Sequence, residues 1–190
     1  MKEQLQKDFE NTIRNLSLSQ KDIEIKKFSL DNFINKGFPN RREEDWKFSD
    51  LNQIINKNIG ELSFYNDYTS TNKVDTSVFV DGLEHNKIVF INGRIEKIDF
   101  DYEKKDQIEI IDQSEIINKF ENNNSLSDLN SAFTNKSFKI VVKKGYQLSK
   151  PLIIYHTTNS KIWSKNINLR LDFELQEDSS LRLIDLFNDT

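Results

Sequence analysis

The sequence has no cysteine, and it has only two prolines, five glycines and two histidines in 190 residues. The missing cysteine excludes disulfide bonds and thiolate ligation of a metal by this chain. Glycine-rich loops that cradle phosphates are not expected, because the sequence has no P-loop and no dinucleotide-binding turn. The two histidines, His85 and His156, lie far apart in sequence. We interpret both as structural residues rather than metal ligands.

The sequence also lacks a long apolar run and an excess of positive charge. No stretch approaches the roughly 20 apolar residues that cross a bilayer, and the N-terminus has no signal-peptide core. We therefore predict a cytoplasmic protein that does not enter a membrane. The net charge of −4 argues against broad nucleic-acid binding. The length and the 36% hydrophobic content fit one domain, or one and a half, with a real core.

The first third of the chain has the apolar spacing of helices. Leu5, Phe9 and Ile13 recur every four residues and predict an amphipathic helix over 3–15. A second helix is predicted over 20–36, ending before Gly37, and a short third one over 50–59. We therefore predict an N-terminal helical region at 1–59, a linker at 60–86 and a β-rich region at 87–190.

The β-rich region begins with a hairpin signal. Residues 87–91 and 94–100 are strand-like and flank Asn92-Gly93, the strongest short hairpin signal. A strand is predicted over 106–111, with helices over 114–121 and 126–133. From Ser137 onwards apolar residues alternate with polar ones, and the row from Ile167 to Leu175 is predicted to face inward. This alternation suits a β-sandwich and a β-helix equally well.

The stretch Gly37–Leu51, GFPNRREEDWKFSDL, joins these two halves. Pro39 fixes the backbone of a turn directly before the charged residues 41–45. We interpret those charges as a solvated helix start in preference to a docking surface. Trp46 and Phe48 are large apolar side chains that we expect to be buried, with Trp46 as a packing anchor.

This stretch resembles the signature G-x-P-x-R-x-x-E-x-W-[KR]-[YF]-[ST]-x-L of the SufB/SufD family of iron–sulfur cluster assembly proteins. Residues 87–94, 129–159 and 168–187 fit the same family in the same order, and the match is closest to SufD-type members. The resemblance implies an α+β protein in which a small helical region precedes a right-handed parallel β-helix. The β-helix would be incomplete at the C-terminus, so a piece of a longer protein is expected. The family-motif positions, taken as structural markers, are Gly37, Pro39, Arg41, Glu44, Trp46 and Lys47.

The resemblance also implies a function. It indicates a non-catalytic scaffold that works with SufB-like and SufC-like subunits, the latter an ATPase, and that receives sulfur indirectly from a cysteine desulfurase system. The cluster-site residues of the family would lie beyond Thr190. No catalytic, cofactor-binding or metal-binding residue is therefore assigned to this chain, and the cluster is handled by the complex. SufD is favoured over SufB by the missing cysteine, although the SufB cysteines lie mostly beyond this length.

Two alternatives to the scaffold interpretation remain open. Asp172 and Glu174 lie two residues apart on one strand face, which is a carboxylate pair that a β-helix carbohydrate-active enzyme could use. Arg170 shares that face, so solvated surface is the favoured interpretation. The other alternative is a generic β-solenoid interaction protein.

Overall fold

A computed structural model describes residues 2–14, 16, 18–58, 62–65, 73–113, 124–159, 162 and 165–189. The chain divides into two compact units, each built from three segments. The first unit comprises Met1–Asn66, Ser114–Asn135 and Ser164–Leu169. The second comprises Asp67–Gln113, Lys136–Trp163 and Arg170–Thr190. The units are therefore not consecutive in sequence, unlike the predicted helical, linker and β-rich segments.

The first unit contains the helices. They are α1 (Lys2–Arg14), α2 (Gln20–Lys36), α3 (Leu51–Asn58) and α4 (Ser125–Phe133). These confirm the helices predicted over 3–15, 20–36, 50–59 and 126–133, while the helix predicted over 114–121 lies outside the described residues. A capping box between Ser19 and Asp22 begins α2, because each side chain satisfies a backbone N–H of the other.

The core of the first unit centres on Phe133 of α4. Phe9 of α1 meets its ring edge-on at 6.0 Å, and Phe64 stacks on it with centroids 3.6 Å apart. Such aromatic contacts add to the stabilisation that burial already gives. Helix α4 thus belongs with the N-terminal helices, although more than 60 residues separate it from α3. The buried members of this core are Leu5, Phe9, Leu30, Phe33, Phe38, Ile55, Phe64, Ala132 and Phe133.

The second unit contains the strands, which form two sheets. The strands are β1 (Asn86–Ile91), β2 (Arg94–Asp99), β3 (Ile108–Gln113), β4 (Lys136–Val142), β5 (Leu152–Thr158), β6 (Leu169–Leu175) and β7 (Leu183–Asp189). One sheet has the order β2-β1-β5-β7 and the other β3-β4-β6. Strand β1 pairs antiparallel with β2 and parallel with β5, which in turn pairs parallel with β7.

The predicted hairpin is confirmed at Asn92-Gly93. Both residues have positive φ, 51° and 79°, as a two-residue turn between antiparallel strands requires. The register between β1 and β2 shifts between Val89 and Phe90, so that Glu96 of β2 is an extra residue. This irregularity is a β-bulge, which bends the strand that carries it.

The predicted right-handed parallel β-helix is wrong. The described residues form an α+β structure with four helices and two mixed sheets, and they show no solenoid. In a parallel β-helix each strand passes to a different sheet and pairs only in parallel. Here β1 and β2 are neighbours in one sheet and pair antiparallel, and so do β3 and β4. A period of two in the sequence places side chains on alternate faces, but it does not encode which strands pair or in which direction.

Each face of the four-stranded sheet has its own apolar contacts. On the inner face, Phe90 of β1 packs against Phe138 of β4, with ring centroids 5.8 Å apart, and so joins the two sheets. On the outer face the buried residues are Val89, Ile91, Ile153 and Tyr155, and they are covered by Val74, Phe79 and Leu186. Val74 and Phe79 lie in the segment predicted as a linker, so part of that segment contributes to packing.

The inward row predicted from Ile167 to Leu175 is not confirmed. Side chains on both faces of β6 are partly exposed, and Leu175 is more exposed than the rest of the strand. Strand β6 lies at the edge of its sheet, so fewer neighbours cover it.

Within the described ranges, no helix is both long enough and apolar enough to cross a bilayer.

Candidate interaction surface

The first half of the motif stretch is a buried helix end. Gly37 has φ of 73°, and its N–H donates to the carbonyl of Phe33 at 2.7 Å, so it terminates α2. A glycine suits this position because positive φ strains other residues. Phe38 and Pro39 follow as buried residues, and Phe38 meets Phe33 edge-on at 5.0 Å. The motif glycine and proline therefore have the structural role that the sequence predicts.

The charged half of the motif forms an exposed turn. The backbone N–H and the side-chain amide of Asn40 both donate to Glu43 Oε1, at 3.1 and 3.2 Å, and the N–H of Arg42 donates to Asn40 Oδ1. A short 3-10 turn, Glu44–Trp46, follows. The motif side chains of Arg41, Glu44 and Lys47 are exposed, and Trp46 is half-buried.

The expectation that Phe48 is buried is wrong. Its side chain is 93% exposed, and Lys47 Nζ lies 5.8 Å from the ring centroid. The side-chain alternation of a strand does not explain why Phe48 is more exposed than Trp46, because both residues lie at a tight turn. What the sequence could show was only that both are apolar, and burial depends on which side of the turn faces the core.

A second exposed apolar feature is the edge strand β7. Within the described residues, the sheet order ends at β7, so its outer edge pairs with no further strand. Leu183, Ile184 and Phe187 are all exposed, and Phe187 is 75% exposed. Exposed apolar side chains along an unpaired edge are a typical template for contact with another chain.

Phe187 belongs to an aromatic ladder that crosses three parallel strands. Phe90, His156 and Phe187 are partners in register on β1, β5 and β7. Their rings lie nearly parallel, at 5.3 Å between Phe90 and His156 and 4.5 Å between His156 and Phe187. His156 Nε2 also lies 2.8 Å from Asp185 Oδ1, and this contact is an ion pair only when the imidazole is protonated. The structural role predicted for His156 fits this arrangement.

The carboxylate pair considered in the sequence is engaged by cations. Arg170 Nε donates to both oxygens of Asp172 at 3.0 Å, and Lys139 forms an ion pair with Glu174. The hydrogen bond from Lys139 lowers the pKa of Glu174 below its ordinary value. A general acid needs a raised pKa, so Glu174 is not tuned for that role.

Sequence reasoning missed the buried carboxylate of Glu103. It accepts hydrogen bonds from Tyr146 Oη at 2.7 Å, from Asn86 Nδ2 at 2.9 Å and from the backbone N–H groups of Ser149 and Lys150. Burial acts to raise the pKa of Glu103, but these donors together lower it to about 2. The carboxylate therefore holds the loop before β5 against the loop after β2. No pattern in the sequence marks this residue.

The sequence reasoning also missed the buried ammonium of Lys26. Lys26 of α2 is 1% exposed, and its ammonium donates to the carbonyls of Ser131 at 3.2 Å and Thr134 at 2.5 Å, at the end of α4. Burial lowers the pKa of Lys26 to about 8, while the nearby Asp22 acts in the opposite direction. The buried face of α2 includes the polar residues Asp22 and Ser29, so apolar spacing in the sequence does not mark Lys26 as buried.

His85 is a further buried polar side chain. Its Nδ1 lies 2.6 Å from the carbonyl of Leu83, so Nδ1 carries the proton and Nε2 accepts a hydrogen bond from Tyr155 Oη at 2.7 Å. Tyr155 Oη in turn accepts from the N–H of Val80 at 3.1 Å. This chain of hydrogen bonds ties the 80–85 loop to β5, which agrees with the structural role predicted for His85.

Taken together, the geometry describes exposed apolar surface rather than a cluster of reactive groups. Across the described part of the chain, no three His, Asp or Glu side chains come together as a metal-binding group. The most prominent features are the exposed Phe48 turn and the β7 edge. A scan against protein-family models finds no match, and a search of curated proteins finds none either.

Proposed function

We propose that this chain is a non-catalytic scaffold subunit of a cytoplasmic iron–sulfur cluster assembly complex of the SufB/SufD type. It would work with a SufB-like subunit and a SufC-like ATPase, and the complex would carry the cluster as its cargo. The resemblance of the Gly37–Leu51 motif supports this proposal, since this motif and the Lys150-Pro151-Leu152 segment are the fairly specific parts of the match.

The structure of the motif agrees with a presenting role. Gly37, Phe38 and Pro39 fix the end of α2, and the exposed turn with Phe48 follows directly. A rigid base beneath an exposed aromatic side chain lowers the entropy cost of binding a partner. Aromatic side chains are also enriched at the centres of protein interfaces.

The single observation that carries the proposal is the exposed apolar edge at β7. An exposed row of apolar side chains on an unpaired strand favours association and is rarely left open on a monomer. A scaffold subunit has a use for such an edge, because its role is to bind other subunits.

The proposal is tested by affinity purification of the full-length protein, tagged and produced in its own cells, followed by mass spectrometry. We expect recovery of an ABC-type ATPase and of a homologous partner subunit in stoichiometric amounts. Recovery of neither, from a protein shown to be folded by circular dichroism, contradicts the proposal.

Single substitutions show whether the exposed features carry the contact. Phe187→Ser and Phe48→Ser should each reduce the recovered partners several-fold. Phe28→Ser is the matched control, because Phe28 is also exposed but lies on α2, away from both features in sequence. If all three variants lose the same amount of recovered partner, the effect comes from surface apolarity in general and not from Phe187 or Phe48.

The carbohydrate-active alternative receives no support from the geometry. Asp172 and Glu174 are each held by a cation, and the pKa of Glu174 is lowered rather than raised. The generic β-solenoid alternative depended on a fold that the described residues do not form.

A further inference from the structure

The two sheets leave an open slot between their edge strands β2 and β3. One half of the slot is lined by Ile98, Phe100, Ile108 and Ile110 and encloses about 310 Å³. The other half is lined by Ile95, Ile98, Ile110 and Phe138 and encloses about 500 Å³. Ile98 and Ile110 line both halves, so the slot is continuous.

The strand pairing explains why the walls of the slot are apolar. Ile98 and Ile95 pair with Ile88 and Phe90, and paired residues of antiparallel strands share a face. On the other sheet, Ile108 and Ile110 pair with Val142 and Ile140. Since Phe90 and Phe138 pack against each other, all of these side chains face the space between the sheets.

Among the residues that the structure describes, none covers the slot, which is an open margin of the core. Its most exposed apolar wall residue is Ile98, at 48% exposure. The row from Ile95 of β2 to Phe100, the residue after the strand, spans about 16 Å at roughly 3.3 Å per residue. An extended hydrocarbon with carbon–carbon bonds of about 1.5 Å covers that length in roughly a dozen bonds.

Both edge strands are poorly suited to accept a further β-strand. The bulge at Glu96 interrupts the regular spacing of β2, and bulges are one of the devices that block strand addition. Strand β3 has only six residues, and it carries the charged Glu109 and Asp112. An occupant without peptide groups of its own fits these walls better than an extended peptide does.

Cationic side chains lie at both ends of the slot, but they differ in their partners. At the Phe138 end, Lys136 is paired with Asp112 at 3.0 Å and Arg94 lies 3.8 Å from Glu96. At the Phe100 end, Lys104 and Lys105 have exposed side chains with no carboxylate partner among the residues that the structure describes. Asp101 lines the same end, so the side chains that line it include two ammonium groups and one carboxylate.

We propose that the slot binds a medium-length acyl chain with an anionic head group. The hydrocarbon lies along Ile95, Ile98 and Ile110, and the head group meets Lys104 and Lys105. Burial of the hydrocarbon supplies the affinity, since each buried methylene group is favourable. The lysines set the orientation, because a carboxylate is stabilised beside an ammonium group and not in the apolar slot. This inference is independent of the scaffold proposal.

The probe is dodecanoate, titrated into the ¹⁵N-labelled full chain below its micelle concentration, with amide shifts recorded by NMR. We expect saturable shifts confined to β2, β3 and residues 104–105. Ile98→Glu should raise the dissociation constant at least about tenfold, because it places a carboxylate beside the hydrocarbon. The matched control is Ile54→Glu on α3, since Ile54 is 44% exposed and lies outside the slot. It should leave binding unchanged.

A second comparison tests the head group. Replacing both Lys104 and Lys105 with Gln should weaken dodecanoate several-fold and leave the binding of 1-dodecanol unchanged. A nitroxide-labelled fatty acid added to the unmodified protein should broaden the amides of β2 and β3, which locates the ligand even if a variant folds poorly.

Three outcomes overturn the proposal. The first is the absence of saturable binding by the unmodified protein. The second is an equal loss of affinity in Ile98→Glu and Ile54→Glu. The third is displacement of dodecanoate by an extended peptide of alternating Ile and Thr, which would assign the slot to a β-strand.

Discussion

His156 and Phe187 stack face to face across β5 and β7, with ring centroids 4.5 Å apart and ring planes 9° apart. The parallel register between the two strands makes these residues direct partners. Phe187 is largely exposed on its other side, so the pair contributes to holding the edge strand and also presents an apolar surface.

Phe187→Ala should destabilise the edge strand selectively. The loss of an aromatic partner costs about 1 kcal/mol, because such pairs contribute beyond the area they bury. Hydrogen exchange should show faster exchange in β7, while exchange in β1 stays unchanged. Leu183→Ala on the same strand is the control, and a similar acceleration there would contradict a special role for the ring stack.

Lys26→Met should destabilise the helical unit by about 2 kcal/mol, because the variant leaves the carbonyls at the end of α4 without their donor. Urea unfolding measures this loss. Lys27→Met is the control, since Lys27 is exposed. An equal effect of both substitutions would show that the buried contacts contribute nothing specific.

The Lys26 contribution should also depend on pH. Its pKa is about 8 in the folded protein and 10.5 as the ordinary value, so the unfolded chain binds more protons between these limits. The stability of the unmodified protein should therefore rise, relative to Lys26→Met, as pH increases from about 8 to about 10.5. A difference that stays constant across this range would contradict the lowered pKa.

Glu103→Gln should cost about 2 kcal/mol at neutral pH, because several donors lose a charged acceptor. The pKa of Glu103 is lowered to about 2 from its ordinary 4.5, so its stabilisation is present above pH 4.5 and is lost as the pH falls towards 2. The difference between the two proteins in their free energy of unfolding, measured with urea, should therefore become smaller from pH 7 to pH 3. Glu109→Gln, at an exposed position of β3, should show no such trend.

Tyr155→Phe should cost between about 1 and 2 kcal/mol, because the buried His85 Nε2 and the partly buried N–H of Val80 both lose their hydrogen-bond partner. Thermal unfolding measures the effect. Tyr102→Phe removes a hydroxyl from an exposed tyrosine and should change the stability by less than about 0.5 kcal/mol. If the two variants unfold alike, the hydrogen-bond chain through Tyr155 is not stabilising.

The local elements could be predicted because their signals are local. Helix α2 has its cap, its apolar face and its terminal Gly37 within one stretch, and the hairpin at Asn92-Gly93 needs only two residues with positive φ. The structural role of the motif glycine and proline was predictable for the same reason. The arrangement of the strands was not predictable, and the predicted β-helix was wrong. A period of two in the sequence does not encode the antiparallel pairing of β3 with β4 or the order of strands in a sheet.

The tertiary structure decides which of these side chains are exposed and which are buried. Phe48 and Phe38 are the same residue type in the same motif, yet one is exposed and the other is buried against Phe33. Glu103 and Lys26 are charged residues whose burial depends on donors and acceptors that lie far along the chain.

The sequence by itself determined the helices, the hairpin and the lack of thiol chemistry, because backbone propensity, side-chain period and residue identity act within a few neighbours. Only the tertiary structure decided the assignment of α4 to the N-terminal helices, the pairing of the strands, the slot between β2 and β3 and the open β7 edge. Each of these depends on contacts between segments that are distant in sequence, and the free energy of such contacts comes from the packed surfaces together and not from either segment alone.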